Sequence, residues 1–163
     1  LPVTGGDQVI PALNPWLRAA RLCGAPVVAT RDWHPPRHPS FANEGGPFPA
    51  HCVEDTRGAQ FHPDLVLPPG TLVLCKGVRL DRDQTSAFDD TGLAGWLRAQ
   101  GVRRIFIGGL AQDVCVRDTV LDARREGFEV HVLVDATRPI SEAGGRAALA
   151  AMQEAGAILE AGT

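Results

Sequence analysis

Apolar positions along the chain follow two alternating rhythms. Residues 7–24, DQVIPALNPWLRAARLCG, carry apolar side chains at helical spacing and close on Gly24, a usual C-terminal stop for a helix. The next run, APVVAT (25–30), is short, apolar and β-branched, the pattern of a strand covered on both faces. From residue 71 the alternation is regular. TLVLC (71–75), RRIFIGGL (103–110), EVHVLVD (129–135) and AILE (157–160) predict strands. Between them, DDTGLAGWLRAQG (89–101), DVCVRDTVLDARREG (113–127) and SEAGGRAALAAMQEAG (141–156) predict helices. Strands separated by helices imply right-handed crossovers, and so an α/β fold: a three-layer, doubly wound parallel sheet with helices on both faces. Residues 35–70 interrupt the rhythm with most of the prolines and little periodicity, a longer excursion than compact domains tolerate without a purpose. The whole of 1–163 reads as one domain, with 31–70 as a functional loop of lid or metal-binding type.

Length and composition narrow the class. A chain of 163 residues with 44% apolar and 21% charged residues suits one soluble core, and no run approaches the ~20 apolar residues of a membrane helix. The net charge of -3 is spread along the chain, without a basic cluster set among aromatics, so neither nucleic acid nor membrane is indicated and a small-molecule ligand is the default partner. Cys23, Cys52, Cys75 and Cys115 lie far apart with no C-x-x-C pair. They read as reduced thiols of a cytoplasmic protein, with two disulfides of a secreted one as the alternative.

In such a sheet, ligands bind beyond the carboxyl ends of the strands. Three strand ends here carry polar chemistry: Asp32 and His34, then Lys76, then Cys115 after GGLAQDV. With Asp113 as a helix N-cap, Cys115 falls in a first helical turn, where free N–H groups favour an anion and lower a thiol pKa. The same N–H groups between Ala111 and Cys115 can converge on the oxygen of an attacked carbonyl. A plain buried cysteine is the alternative. Lys76 adds positive charge to such a thiolate, or else is a strand-end lysine reaching solvent. Asp32-x-His34 spaces two ligands for Zn2+ or a similar ion on one side of an extended segment, with His51 to close the set and His38 and His62 as further candidates.

Taken together, these residues resemble the nicotinamidases, also called pyrazinamidases, of the isochorismatase-like cysteine hydrolases. RDWHPPRHPSFA (31–42), FPAHCVEDTRGAQFHP (48–63), Lys76-Gly77 with DQTSAF (83–88), and GLAQDVCVRDTVLDA (109–123) are similar to that family's ordered motifs over nearly the whole chain. The resemblance implies Cys115 as nucleophile, Lys76 as its charged neighbour and Asp32, His34 and His51 as ligands of a divalent ion, with Zn2+ the ion expected. It places the oxyanion on backbone N–H groups of Gln112 and Cys115, beside a cis peptide just before residue 112, with Phe48 and Ala111 against the substrate. The implied reaction hydrolyses nicotinamide, or pyrazinamide, to the acid and ammonia through a thioester, in cytoplasmic NAD salvage by a homo-oligomer. Alternatives are a sister hydrolase of another small amide or carbamoyl compound, a non-catalytic ligand-binding domain of the same fold, and, last, a redox sensor.

Three departures stand out. Phe48 replaces a usual Trp, Gln112 stands where Thr is frequent, and the family's general-base aspartate, on a first central strand, has no counterpart after Leu1. A segment of ~15 to 25 residues carrying that strand, between the 25–30 and 103–109 strands, is expected ahead of Leu1. Asp113 is not expected to replace that base, because its carboxylate is occupied by backbone N–H groups.

Overall fold

The computed structural model describes residues 2–161. A 3-10 turn at Gly6–Gln8 leads into α1 (Val9–Cys23), which stops where Gly24 takes a left-handed φ of 66°. β1 (Val28–Asp32) and β2 (Leu72–Lys76) pair in parallel, with Val28 opposite Leu72 and Asp32 opposite Lys76. After α2 (Leu93–Ala99), β3 (Arg104–Leu110), α3 (Arg117–Arg125), β4 (Glu129–Arg138), α4 (Glu142–Glu154) and β5 (Ile158–Glu160) alternate, and the strands form a second parallel sheet in the order β3-β4-β5. All ladders are parallel, as the alternation predicts.

The two faces of the larger sheet follow from period-2 alternation. Ile105, Ile107, Val130 and Val132 point into a core shared with Leu93 and Leu97 of α2, Val120 and Ala123 of α3, and Ala148 and Met152 of α4. Phe106 and Gly108 point the other way and meet α1: Trp16 stacks at 5.2 Å on Phe106, and a Cβ on Gly108 would come within 2.8 Å of Leu13. Helices therefore cover both faces.

Among the described residues β1 pairs with β2 alone and β3 with β4 alone, so the sheet is in two pieces. The break falls between the two strands that were expected to flank a further one. That strand and its aspartate, expected ahead of Leu1, lie outside the described residues.

Several boundaries differ from the sequence pattern. β1 lies at 28–32 rather than 25–30, because Thr30, Arg31 and Asp32 continue the ladder with β2 past the apolar run. α2 is shorter at its start, where Asp90 (φ 56°) and Gly92 (φ 75°) are left-handed and Asp89 and Asp90 pair with Arg82. The helix expected over 113–127 begins as a π-helical turn, Gln112–Val116, and becomes α-helical only from Arg117. β4 runs three residues beyond the expected end. Its register on β3 jumps from Ile107 opposite Val132 to Gly109 opposite Thr137, which sets Thr137 beside the approach to that π turn.

Candidate active site

A cavity of ≈ 460 Å³ opens at the carboxyl ends of β1, β2 and β3. Asp32, His34, His51, Lys76, Ala111 and Cys115 all line it, with Phe48 on one wall. Each sequence-nominated strand end thus delivers its residue to one space.

Lateral register makes the first contact. Asp32 and Lys76 are ladder partners with side chains on one face, and the Lys76 ammonium donates to Asp32 Oδ1 at 2.5 Å. It also reaches Cys115 Sγ at 3.2 Å and the Gln84 carbonyl at 3.4 Å. Lys76 is 4% exposed, so the solvent-reaching alternative does not hold. Burial alone would lower its pKa, yet the charges of Cys115 and Asp32 outweigh this and raise it, keeping the group an ammonium.

For Cys115 the balance falls the other way. Burial pushes the thiol up; the Lys76 ammonium pulls it down but does not cancel burial, and the Asp32 carboxylate adds to the rise. The thiol of the free site is thus raised, because its largest cause, loss of solvent, does not depend on the charge of Lys76. The low thiol pKa expected of a first helical turn is therefore corrected. Cys115 sits in a wide π turn, in which the N–H groups of Val114 and Val116 both bond the Ala111 carbonyl and so do not face the sulfur.

Asp113 is likewise not a cap of its own helix. The turn has no side-chain cap, and the Asp113 carboxylate instead accepts from the backbone N–H groups of Ile140 (2.8 Å) and Ser141 (3.2 Å), where α4 begins. Its occupation by backbone donors was anticipated; their origin 27 residues away in sequence was not. The cis peptide lies at Leu110–Ala111, one bond earlier than expected.

The donor chemistry of Asp32, His34 and His51 suits a divalent ion. His34 Nδ1 lies 2.8 Å from the Gly77 carbonyl and His51 Nδ1 lies 2.8 Å from the Pro49 carbonyl. A carbonyl only accepts, so both rings carry their proton on Nδ1 and present the Nε2 lone pair. Asp32 gives Oδ1 to Lys76 and keeps Oδ2, 3.9 Å from His34 Nε2, and the three ligand atoms lie within 4.8 Å of one another. The residues fit the group.

His38 does not join them. It stacks on His34 at 4.1 Å and is fully buried, and Ser40 occupies its Nδ1, with the hydroxyl at 2.7 Å and the backbone N–H at 3.3 Å. Among the described residues its Nε2 has no hydrogen-bond partner, and Asp83 Oδ1 lies 4.0 Å away. His38 thus falls outside the Asp32, His34 and His51 group and clusters instead with His34 and Asp83. His62 is 44% exposed on the cavity rim, its Nδ1 taken by the Asp64 N–H. Asp83 itself lines the cavity and was not nominated. Its place at the head of the DQTSAF segment, seven residues past Lys76, was the available signal.

A parallel α/β sheet whose strand ends gather a thiol, a buried ammonium and three residues able to hold a cation defines the class: a hydrolase of small amides. The chain belongs to the isochorismatase family, whose domain matches residues 2–162. It is 37% identical over 162 residues to a nicotinamidase of Acinetobacter baylyi, covering 86% of this chain and 74% of that one. Among solved structures it resembles the pyrazinamidase of Pyrococcus horikoshii in complex with zinc (TM-score 0.94, 43% identity, 98% of this chain and 88% of the other). It also resembles PnC1 from L. infantum in complex with nicotinate (TM-score 0.87, 40% identity, 98% and 82%).

Proposed function

We infer that this protein is a metal-dependent cysteine amidohydrolase that converts nicotinamide to nicotinate and ammonia, and accepts pyrazinamide. The observation that carries the reading is the 3.2 Å contact between Cys115 Sγ and Lys76 Nζ inside the cavity that also holds Asp32, His34 and His51. The nicotinamidase relative and the zinc and nicotinate complexes support the substrate class and the metal.

Asp32 Oδ2, His34 Nε2 and His51 Nε2 hold the ion, for which two nitrogens and one oxygen suit Zn2+. When bound, it supplies a Lewis-acid anchor for the ring nitrogen of the substrate. Phe48, edge-on to His51 at 5.7 Å, and Ala111 flank the ring. Loss of the Cys115 proton, opposed by burial and favoured by Lys76, accompanies attack of sulfur on the carboxamide carbon. The oxyanion rests on N–H groups of Gln112 and Cys115 in the π turn. The C–N bond breaks, the proton lost by Cys115 leaves on the nitrogen as ammonia, and water cleaves the thioester to the acid and restores the thiol. A role in cytoplasmic NAD salvage and a homo-oligomeric assembly are part of this reading.

The test is ammonia release from nicotinamide by the full-length protein, before and after chelation and after Zn2+ is restored. Activity that is lost and recovered, and absent in Cys115→Ala, supports the reading. Turnover unaffected by either change overturns it.

A further inference from the structure

The residue at position 112 carries an anchor in its side chain as well as a donor in its backbone. Gln112 is 5% exposed, and its Nε2 donates to Thr137 Oγ1 at 2.6 Å; Thr137, 1% exposed, passes its own hydroxyl proton to the Val134 carbonyl at 2.8 Å. The π turn is thus tied to the far end of β4 by a two-step hydrogen-bonded chain whose two side chains, Gln112 and Thr137, are shielded from water. The register jump after Val132 is what brings Thr137 opposite Gly109, within reach of Gln112. On the other side of the Gln112 amide, Gly145 leaves space for the carbonyl: a Cβ there would stand 2.8 Å from Gln112 Oε1. The adjacent Asp113 carboxylate clamps Ile140 and Ser141. Two consecutive side chains therefore fasten the turn that bears Cys115 to the β4–α4 junction.

We propose that Gln112 is a positioning residue: its side-chain amide, locked on Thr137, holds the π turn so that the turn's N–H groups meet the developing oxyanion. This rests on the amidohydrolase reading for its catalytic consequence. A buried polar pair of this kind loses its geometry when either member is removed, because the remaining donor or acceptor cannot be satisfied in place. Loosening a donor rather than deleting it is expected to lower kcat about tenfold, short of the ~100-fold or more for outright loss of an oxyanion donor.

The experiment compares wild type with Gln112→Met and Thr137→Val in four readouts. They are nicotinamide hydrolysis, inhibition by nicotinaldehyde, iodoacetamide labelling of Cys115, and hydrogen exchange of peptides spanning 110–118. Nicotinaldehyde takes the sulfur at its carbonyl carbon, and its oxygen passes through an oxyanion to a hydroxyl that carries the sulfur's proton. Having no leaving group, it stops there. Alkylation by iodoacetamide displaces iodide and develops no oxyanion. The proposal expects kcat and aldehyde affinity to fall together by about tenfold, with KM and labelling rate within about twofold of wild type. Exchange over 110–118 rises, and the double variant is no worse than either single. Wild-type kcat and exchange in Gln112→Met overturn the proposal. So do equal losses in labelling and hydrolysis, which mark a general collapse of the site. If wild type neither hydrolyses nicotinamide nor binds the aldehyde, the proposed function fails, and exchange over 110–118 still decides whether Gln112 anchors the turn.

Discussion

Replacing Lys76 by Met keeps an unbranched side chain one atom shorter and removes its charge. At 3.2 Å from Cys115 Sγ, and with an effective dielectric of ~20, the attraction between ammonium and thiolate is about 5 kcal/mol. Half of that, with the site relaxing around the new side chain, is about 2.5 kcal/mol, or roughly 70-fold at 1.36 kcal/mol per decade. Two structural details reinforce the direction. Lys76 is buried, so water does not replace it, and its loss leaves the Asp32 carboxylate, which already opposes the thiolate, without its cation. The assay is the iodoacetamide labelling rate of Cys115 at pH 6 and pH 8, with the exposed Cys23 as an internal standard. Because only the thiolate reacts, labelling of Cys115 in Lys76→Met falls by about two orders of magnitude at both pH values while Cys23 is unchanged. Lys76→Arg, which keeps the charge, serves as control. A Cys115 labelling rate in Lys76→Met within threefold of wild type refutes the electrostatic role of Lys76.

Other outcomes follow from the same structure. Gly77 has φ 66° and its Cβ position collides with the His34 ring, so Gly77→Ala displaces a ring proposed to ligate the ion; zinc retained after loading and dialysis is expected to fall while far-UV circular dichroism is kept. His51→Ala is expected to lower zinc retention likewise, without backbone strain. Away from the cavity, His131 bridges Glu129 (2.9 Å) and Glu160 (2.6 Å), and its hydrogen bond to Glu129, aided by Glu160, raises its pKa against burial. A raised folded-state pKa gives stability that is full below the ordinary histidine value and disappears as pH rises through the elevated one. The Tm deficit of His131→Gln is therefore larger at pH 5.5 than at pH 9, and an equal deficit at both rejects the bridge. Met152 is fully buried between α4 and the sheet, so Met152→Ala costs about 2 to 5 kcal/mol in urea unfolding.

Much of this architecture was legible along the chain. The order of strands and helices, and the placing of Asp32, His34, Lys76 and Cys115 at strand ends, came from local periodicity, since a helix or buried strand must repeat its apolar residues whatever surrounds it. The sequence resemblance added Phe48 and narrowed the oxyanion donors to Gln112 and Cys115. What neighbours in sequence cannot set is lateral register and the closure of distant segments, because these depend on which backbone groups find partners only after the chain has packed. The tertiary structure alone decided that Asp32 lies opposite Lys76, that Asp113 holds the backbone N–H groups of Ile140 and Ser141 just ahead of α4, and that Ser40 occupies Nδ1 of His38. It also decided that Cys115 loses enough water to reverse the expected direction of its pKa, because burial depends on atoms that come together only when the chain has packed.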